Sequence, residues 1–202
     1  MAIIKKDFAN ECISGIWKIE EQEDELLKKI FLSDSEQQYL KNIYSQKRRL
    51  EFLAVRALLY ELNIKESIKY ENRIPICENG HISISHSKTL ATIIWHPTQK
   101  TTIDVEEVTN RIVGIAYRVF SKEELKFANN NPKILTILWN CKECVYKIFR
   151  QDQIDFQKQI KIFPFEENEN ILCEINHKNI NKQYHFSYFE ILNNILVWGV
   201  DN

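Results

Sequence analysis

The sequence predicts an α/β (α+β) chain built in two halves, each a small antiparallel sheet packed with helices. Three observations point there. Each half combines an amphipathic helical run with several short apolar strand segments. With only 4 Gly and 4 Pro in 202 residues, there is little room for flexible linkers, so the halves should be packed tightly. No motif recurs at a fixed short period, which argues against a solenoid.

Taken in order, "CISGIWKIE" (12–20) alternates Ile13, Gly15, Trp17 and Ile19 on one side, as a first strand does. Ser33 and Glu36 have capping-box spacing, and a helical pattern runs from there to about Leu62. Leu40, Ile43, Leu50, Leu53, Ala57 and Leu58 form its apolar stripe, with Lys47, Arg48, Arg49 and Arg56 opposite. So long a run should break into two helices near Tyr44–Lys47. "ENRIPICENGHISISHS" reads as a short strand, an Asn79-Gly80 turn and a second strand through Ile82 and Ile84, followed by the strand "LATIIWH" (90–96). "TTIDVEEV" (101–108) is a further strand with Ile103 and Val105 on one face and Asp104 and Glu106 on the other. "RIVGIAYRVF" is helical, Ser121 caps the next helix, and Asn131-Pro132 opens a third. "IKIFPF", "ILCEI", "YHFSYFEI" and "ILVWGV" read as closing strands.

Composition narrows the function classes. The formal net charge is -1, so an anionic partner must be held by a local cluster of Lys and Arg, and nucleic-acid binding is not expected. "MAIIKKDFANE" lacks the apolar core of a secretory signal, and "LATIIW" is too short to span a bilayer. Five cysteines, an odd number, fit a reducing compartment better than a disulfide framework. A soluble cytoplasmic protein is the expectation.

The chemistry-bearing stretch is "LWNCKECVYK" (138–147). In a helix begun at Pro132, Cys141 lies beyond the first turn, where the helix dipole does little to activate a thiol. Helical rotation gathers Leu138, Cys141, Cys144, Val145 and Ile148 on an interior side. Trp139, Lys142, Glu143, Tyr146 and Lys147 gather on the other. No second Cys-x-x-Cys or Cys/His pair has zinc spacing, so the cysteines read as small hydrophobes, with a thiol–redox protein as the competing reading. Asp104 and Glu106, two apart on a strand, project like charges to one side. Together with Glu143 they would form an open, oxygen-only site suited to Mg²⁺; a solvated edge strand and a solvated helix face are the plainer alternatives.

Four blocks, "KRRLEFLAVRALL" (47–59), "ISISHS" (82–87), "IDVEEVTNRIVGIAYRVFSKEEL" (103–125) and "LWNCKECVYK", stand in the order and approximate spacing found in the 4′-phosphopantetheinyl transferases. The chain resembles their longer, monomeric class. The resemblance implies two similar lobes related by a pseudo-two-fold axis, residues 1–100 and 101–202, with coenzyme A in the cleft between them. It also implies a Mg²⁺-dependent reaction: the phosphopantetheine arm of coenzyme A moves to a serine of an apo acyl or peptidyl carrier protein, releasing adenosine 3′,5′-bisphosphate. Carried over by position, Asp104, Glu106 and Glu143 are the metal ligands, with Glu143 also a candidate general base. Lys147 lies near the phosphates as a second catalytic group. Arg48, Arg56, Ser85, His86 and Lys142 join Lys147 in holding the coenzyme.

The departures are specific. Thr102 stands where the family usually has Gly, and Ile74 replaces a family Lys, with Arg73 adjacent as a possible substitute. The glycine pair that commonly follows the final lysine is missing from "KIFRQDQIDF". These gaps motivate a different reading, a non-catalytic relative that binds coenzyme A or a carrier protein. Carrier domains are acidic, so Arg111, Arg118 and Lys122 are candidate docking charges, with surface solvation as the alternative.

Overall fold

Local signals set the helix starts. In a computed structural model describing residues 3–9, 12–66, 68–71, 74–150, 153–167 and 169–201, Ser33 caps α2 (Asp34–Lys41) and its backbone N–H is in turn capped by Glu36. Ser45 caps α3 (Gln46–Glu61), so the long helical run does break, between Lys41 and Gln46. A short α1 (Glu23–Leu27) precedes them.

These helices belong to the first of two compact units, Met1–Pro97. Its antiparallel sheet has the order β1 (Ile3–Lys6), β2 (Ile13–Lys18), β6 (Leu90–His96), β5 (His81–His86). The strands β3 (Lys69–Glu71) and β4 (Ile74–Ile76) pair with each other in a separate ribbon. Helix α3 lies across β2 and β6, burying Leu53, Ala57 and Leu58 against Trp17, Ala91 and Ile93. The approach is close at Gly15, where a Cβ would stand 2.9 Å from Leu58 Cδ1, so a side chain there would push the Leu58 and Leu62 ends aside.

The second unit, Thr98–Asn202, holds a five-stranded antiparallel sheet. Its order is β7 (Thr101–Glu107), β11 (Asn194–Val200), β10 (Ile180–Ile191), β9 (Ile171–His177), β8 (Ile160–Ile162). Helices α4 (Arg111–Val119), α5 (Lys122–Ala128), α6 (Pro132–Phe149) and α7 (Phe156–Gln159) complete it. Asn131 Oδ1 accepts from the Lys133 and Ile134 amides, and Pro132 fills the first helical position, where a missing N–H costs nothing. Helix α6 crosses β7 and β11, its Leu138, Cys141, Cys144, Val145 and Ile148 packed among Cys173, Ile175, Phe186, Ile195 and Val197. The chain is thus mixed α+β with antiparallel sheets. Among the described residues no helix is long and apolar enough to cross a membrane.

Candidate metal and phosphate site

Strand alternation and helix rotation bring the predicted acidic groups into one neighbourhood. Thr102, Asp104 and Glu106 share the face of β7 turned to α6, as the Thr102 hydroxyl shows by donating to the Cys144 carbonyl at 3.0 Å. Lys147 Nζ donates to Asp104 Oδ1 at 2.6 Å and to the Ile103 carbonyl at 2.9 Å. Asp104 is buried, 4% exposed, while Glu106 is open to solvent and Glu143 half-buried.

The electrostatics follow from this proximity. Burial, then the charges of Asp104 and Glu106, push the Glu143 carboxyl up to about 7, against the opposing pull of Lys147. Burial works against the Lys147 ammonium, but Asp104, Cys144 and Glu143 outweigh it and hold that group above its ordinary value. The result is a strand–helix corner with three carboxylates and one firmly protonated lysine. One carboxyl is poised to exchange a proton near neutrality.

As they stand the carboxylates are not a ready-made cage: among the described residues, no group of three or more His, Cys, Asp and Glu side chains is arranged to hold a metal ion. A hard cation that keeps several waters and takes ligands from a phosphate needs only one or two carboxylates from the protein. The donor set fits such an ion, because it is all oxygen and because a cation would relieve the repulsion that, after burial, raises the Glu143 carboxyl.

Lys142 is corrected. It does not share the charged face: it is fully buried, with Nζ donating to the Phe156 carbonyl (2.8 Å) and the Ile160 carbonyl (2.6 Å) and ion-paired with Glu124 Oε2 at 3.0 Å. An ammonium has three N–H donors, and all three have protein acceptors, so none is left for a phosphate. Glu124 also accepts from the Ser121 and Ile162 amides. The pair ties α5, α6, α7 and β8 together. Besides the sheet, α4 and α5 also pack on α6, and a single-stripe rotation does not foresee that.

In the first unit Arg56 is corrected in the same way. Its side chain is buried, Nε donates to Glu36 Oε1 at 2.9 Å, Nη1 reaches Tyr70 Oη at 3.3 Å, and the guanidinium lies 4.1 Å from the Phe52 ring centroid. It packs α3 against α2 rather than facing solvent. Arg48 is exposed, as expected. His86, at the end of β5, stands 3.5 Å from buried Glu51 on α3, which also pairs with Lys47 at 3.4 Å. Ser85 is half-buried on β5, opposite Thr92. Ile74 opens β4, and Arg73 lies outside the described residues.

The remaining expectations fall as follows. Thr102 continues β7 in regular register with Gly199. Where the family glycines are missing, Arg150 ends α6 with φ 54°, a left-handed conformation ordinarily given to glycine. Cys141 and Cys144 are fully buried, and burial pushes both thiols well above the ordinary value, which argues against redox chemistry. Arg111, Arg118 and Lys122 are exposed, beside exposed Ile115 and Tyr117 on α4. Glu36 was visible in the sequence only as a cap, while the partners Glu51 and Glu124 went unnoticed. Neither protein-family models nor curated proteins give a match to this chain.

Proposed function

We propose that the chain is a Mg²⁺-dependent 4′-phosphopantetheinyl transferase acting on an apo acyl or peptidyl carrier protein. The observation that carries this reading is the corner of Asp104, Glu106, Glu143 and Lys147, where burial and then the neighbouring carboxylates push the Glu143 carboxyl up to about 7. The four ordered sequence blocks supply the substrate class. Two similar units related by a pseudo-two-fold axis, a monomeric state and a cytoplasmic location belong to the same proposal and rest on the resemblance.

In this reading the carrier serine Oγ attacks the phosphorus that bears the pantetheine arm. The bond from that phosphorus to the bridging oxygen breaks, and adenosine 3′,5′-bisphosphate leaves. Bound Mg²⁺ supplies charge neutralisation on the diphosphate; Asp104, Glu106 and Glu143 would hold it. Glu143 takes the serine proton on its carboxylate, directly or through a water, an effect typically worth ~10²–10⁴-fold. Lys147, kept protonated by Asp104, balances charge on the leaving phosphate. Arg48, Ser85 and His86 are the groups of the first unit left to grip the coenzyme, since Arg56 is engaged internally.

That engagement, with the loss of Lys142 as a phosphate contact, favours a second reading: a non-catalytic relative that binds coenzyme A without transferring from it. Incubation with coenzyme A, Mg²⁺ and a panel of apo carriers, read by intact mass, separates the two. A carrier gaining one phosphopantetheine supports the transferase. Coenzyme A retained with no carrier modified supports the second.

A further inference from the structure

We propose that Thr102 is a positioning residue that locks α6 onto β7 and so sets the spacing between Glu143 and the carboxylates of Asp104 and Glu106. The inference rests on the metal reading above only for what those carboxylates hold. Thr102 is fully buried, and its hydroxyl donates at 3.0 Å to the carbonyl of Cys144, one residue past Glu143. That carbonyl sits inside α6, where the helix ladder already gives it a partner. The added bond is therefore a tie between elements, not a cap.

The next two residues of β7 grip the same helical turn. The Ile103 carbonyl and Asp104 Oδ1 both accept from Lys147 Nζ, at 2.9 and 2.6 Å. Asn140 Nδ2 donates to the Ile195 carbonyl at 2.8 Å and holds the preceding turn on β11. Among these ties Lys147 acts through a long, flexible chain, whereas a β-branched threonine is stiff about χ1 and carries its hydroxyl one bond from Cβ. Thr102 is therefore the rigid stop against sliding or rolling of α6. A displacement of ~1 Å of a reacting group can cost ~10²-fold in rate, so a stop at this point has leverage on the site. Thr102 touches neither substrate nor metal in this scheme.

The test is Mn²⁺ binding by calorimetry, without coenzyme A or carrier, on the wild type, T102V, T102S and T102A, each first shown to be folded by circular dichroism. T102S keeps the hydroxyl, T102V keeps the shape, and T102A keeps neither without adding bulk. T102V and T102A should bind Mn²⁺ about tenfold more weakly, the low end for residues that orient metal ligands, and T102S should stay within about twofold. T102V binding like the wild type, or T102S weakened as much as T102V, overturns the proposal. A wild type that takes up no Mn²⁺ overturns it together with the metal reading. Mn²⁺ affinities in the expected order, with no carrier ever modified, sink the transferase reading alone and leave Thr102 in its role.

Discussion

Replacing Glu143 with Gln should make the metal-free protein more stable, although the same change should abolish transfer. Glu143 has a carboxyl held at about 7 rather than 4.5, first by burial and then by Asp104 and Glu106. That shift corresponds to roughly 3 kcal/mol between the two protonation states. Solvent screening at a half-buried side chain reduces the effect on stability to about 1–2 kcal/mol. The sign follows from proton counting. The folded chain keeps this proton up to about 7, while the unfolded chain releases it near 4.5, so stability falls as pH rises through that window and stays low above it. Gln has the same shape and no charge to lose. E143Q should therefore melt about 2–8 °C above the wild type at pH 8, for a chain of this size, with the gap closing toward pH 5. Thermal unfolding followed by circular dichroism in chelator-treated buffer reads this directly. E143Q melting at or below the wild type at pH 8, or a gap that does not change with pH, would refute the raised Glu143 carboxyl and the burial and crowding argued to raise it.

The other predictions separate internal from functional charges. K142M leaves Glu124 buried without its cation and should cost about 3–5 kcal/mol in chemical denaturation; a variant as stable as the wild type would deny the buried pair its structural role. R56A removes the Glu36 pair and the Phe52 contact and should destabilise by about 2 kcal/mol. R48A, at an exposed position, should change stability by less than about 0.5 kcal/mol yet weaken coenzyme A binding by calorimetry. The reverse pattern would exchange their roles. With a thiol reagent under native conditions Cys77, half-buried, should label fastest, while Cys141, Cys144 and Cys173 should wait for unfolding. Rapid native labelling at Cys141 or Cys144 would reopen the redox reading.

Much of the fold was legible because its signals are local. Ser33 with Glu36, Ser121, and Asn131-Pro132 mark helix starts within three or four residues of themselves, and each cap is present. Alternation along 101–107 placed Asp104 and Glu106 on a common face, and helical rotation turned Glu143 and Lys147 toward them. Where the sequence reading failed, a distant partner had intervened. Lys142 lies beside Glu143 on a helical wheel, yet Glu124 from another helix and two carbonyls from α7 and β8 draw it inward. Arg56 falls opposite the apolar stripe of α3, yet α2 lays Glu36 over it and Phe52 stacks beneath. Short elements went unread for a different reason: α1 has five residues and a Gln rather than a Ser or Thr at its cap, and β3 has three residues in a two-stranded ribbon with β4. Thr102 was noticed as a missing glycine; its hydroxyl bond to α6 depends on packing that no spacing rule encodes.

The most direct measurement of the central claim is an anomalous difference map from crystals grown with coenzyme A and Mn²⁺. A single peak within ligand distance of Asp104, Glu106 and Glu143, with the coenzyme's diphosphate completing the shell, is the expected result. Coenzyme A bound with its diphosphate away from these carboxylates, or Mn²⁺ located elsewhere on the chain, would contradict it.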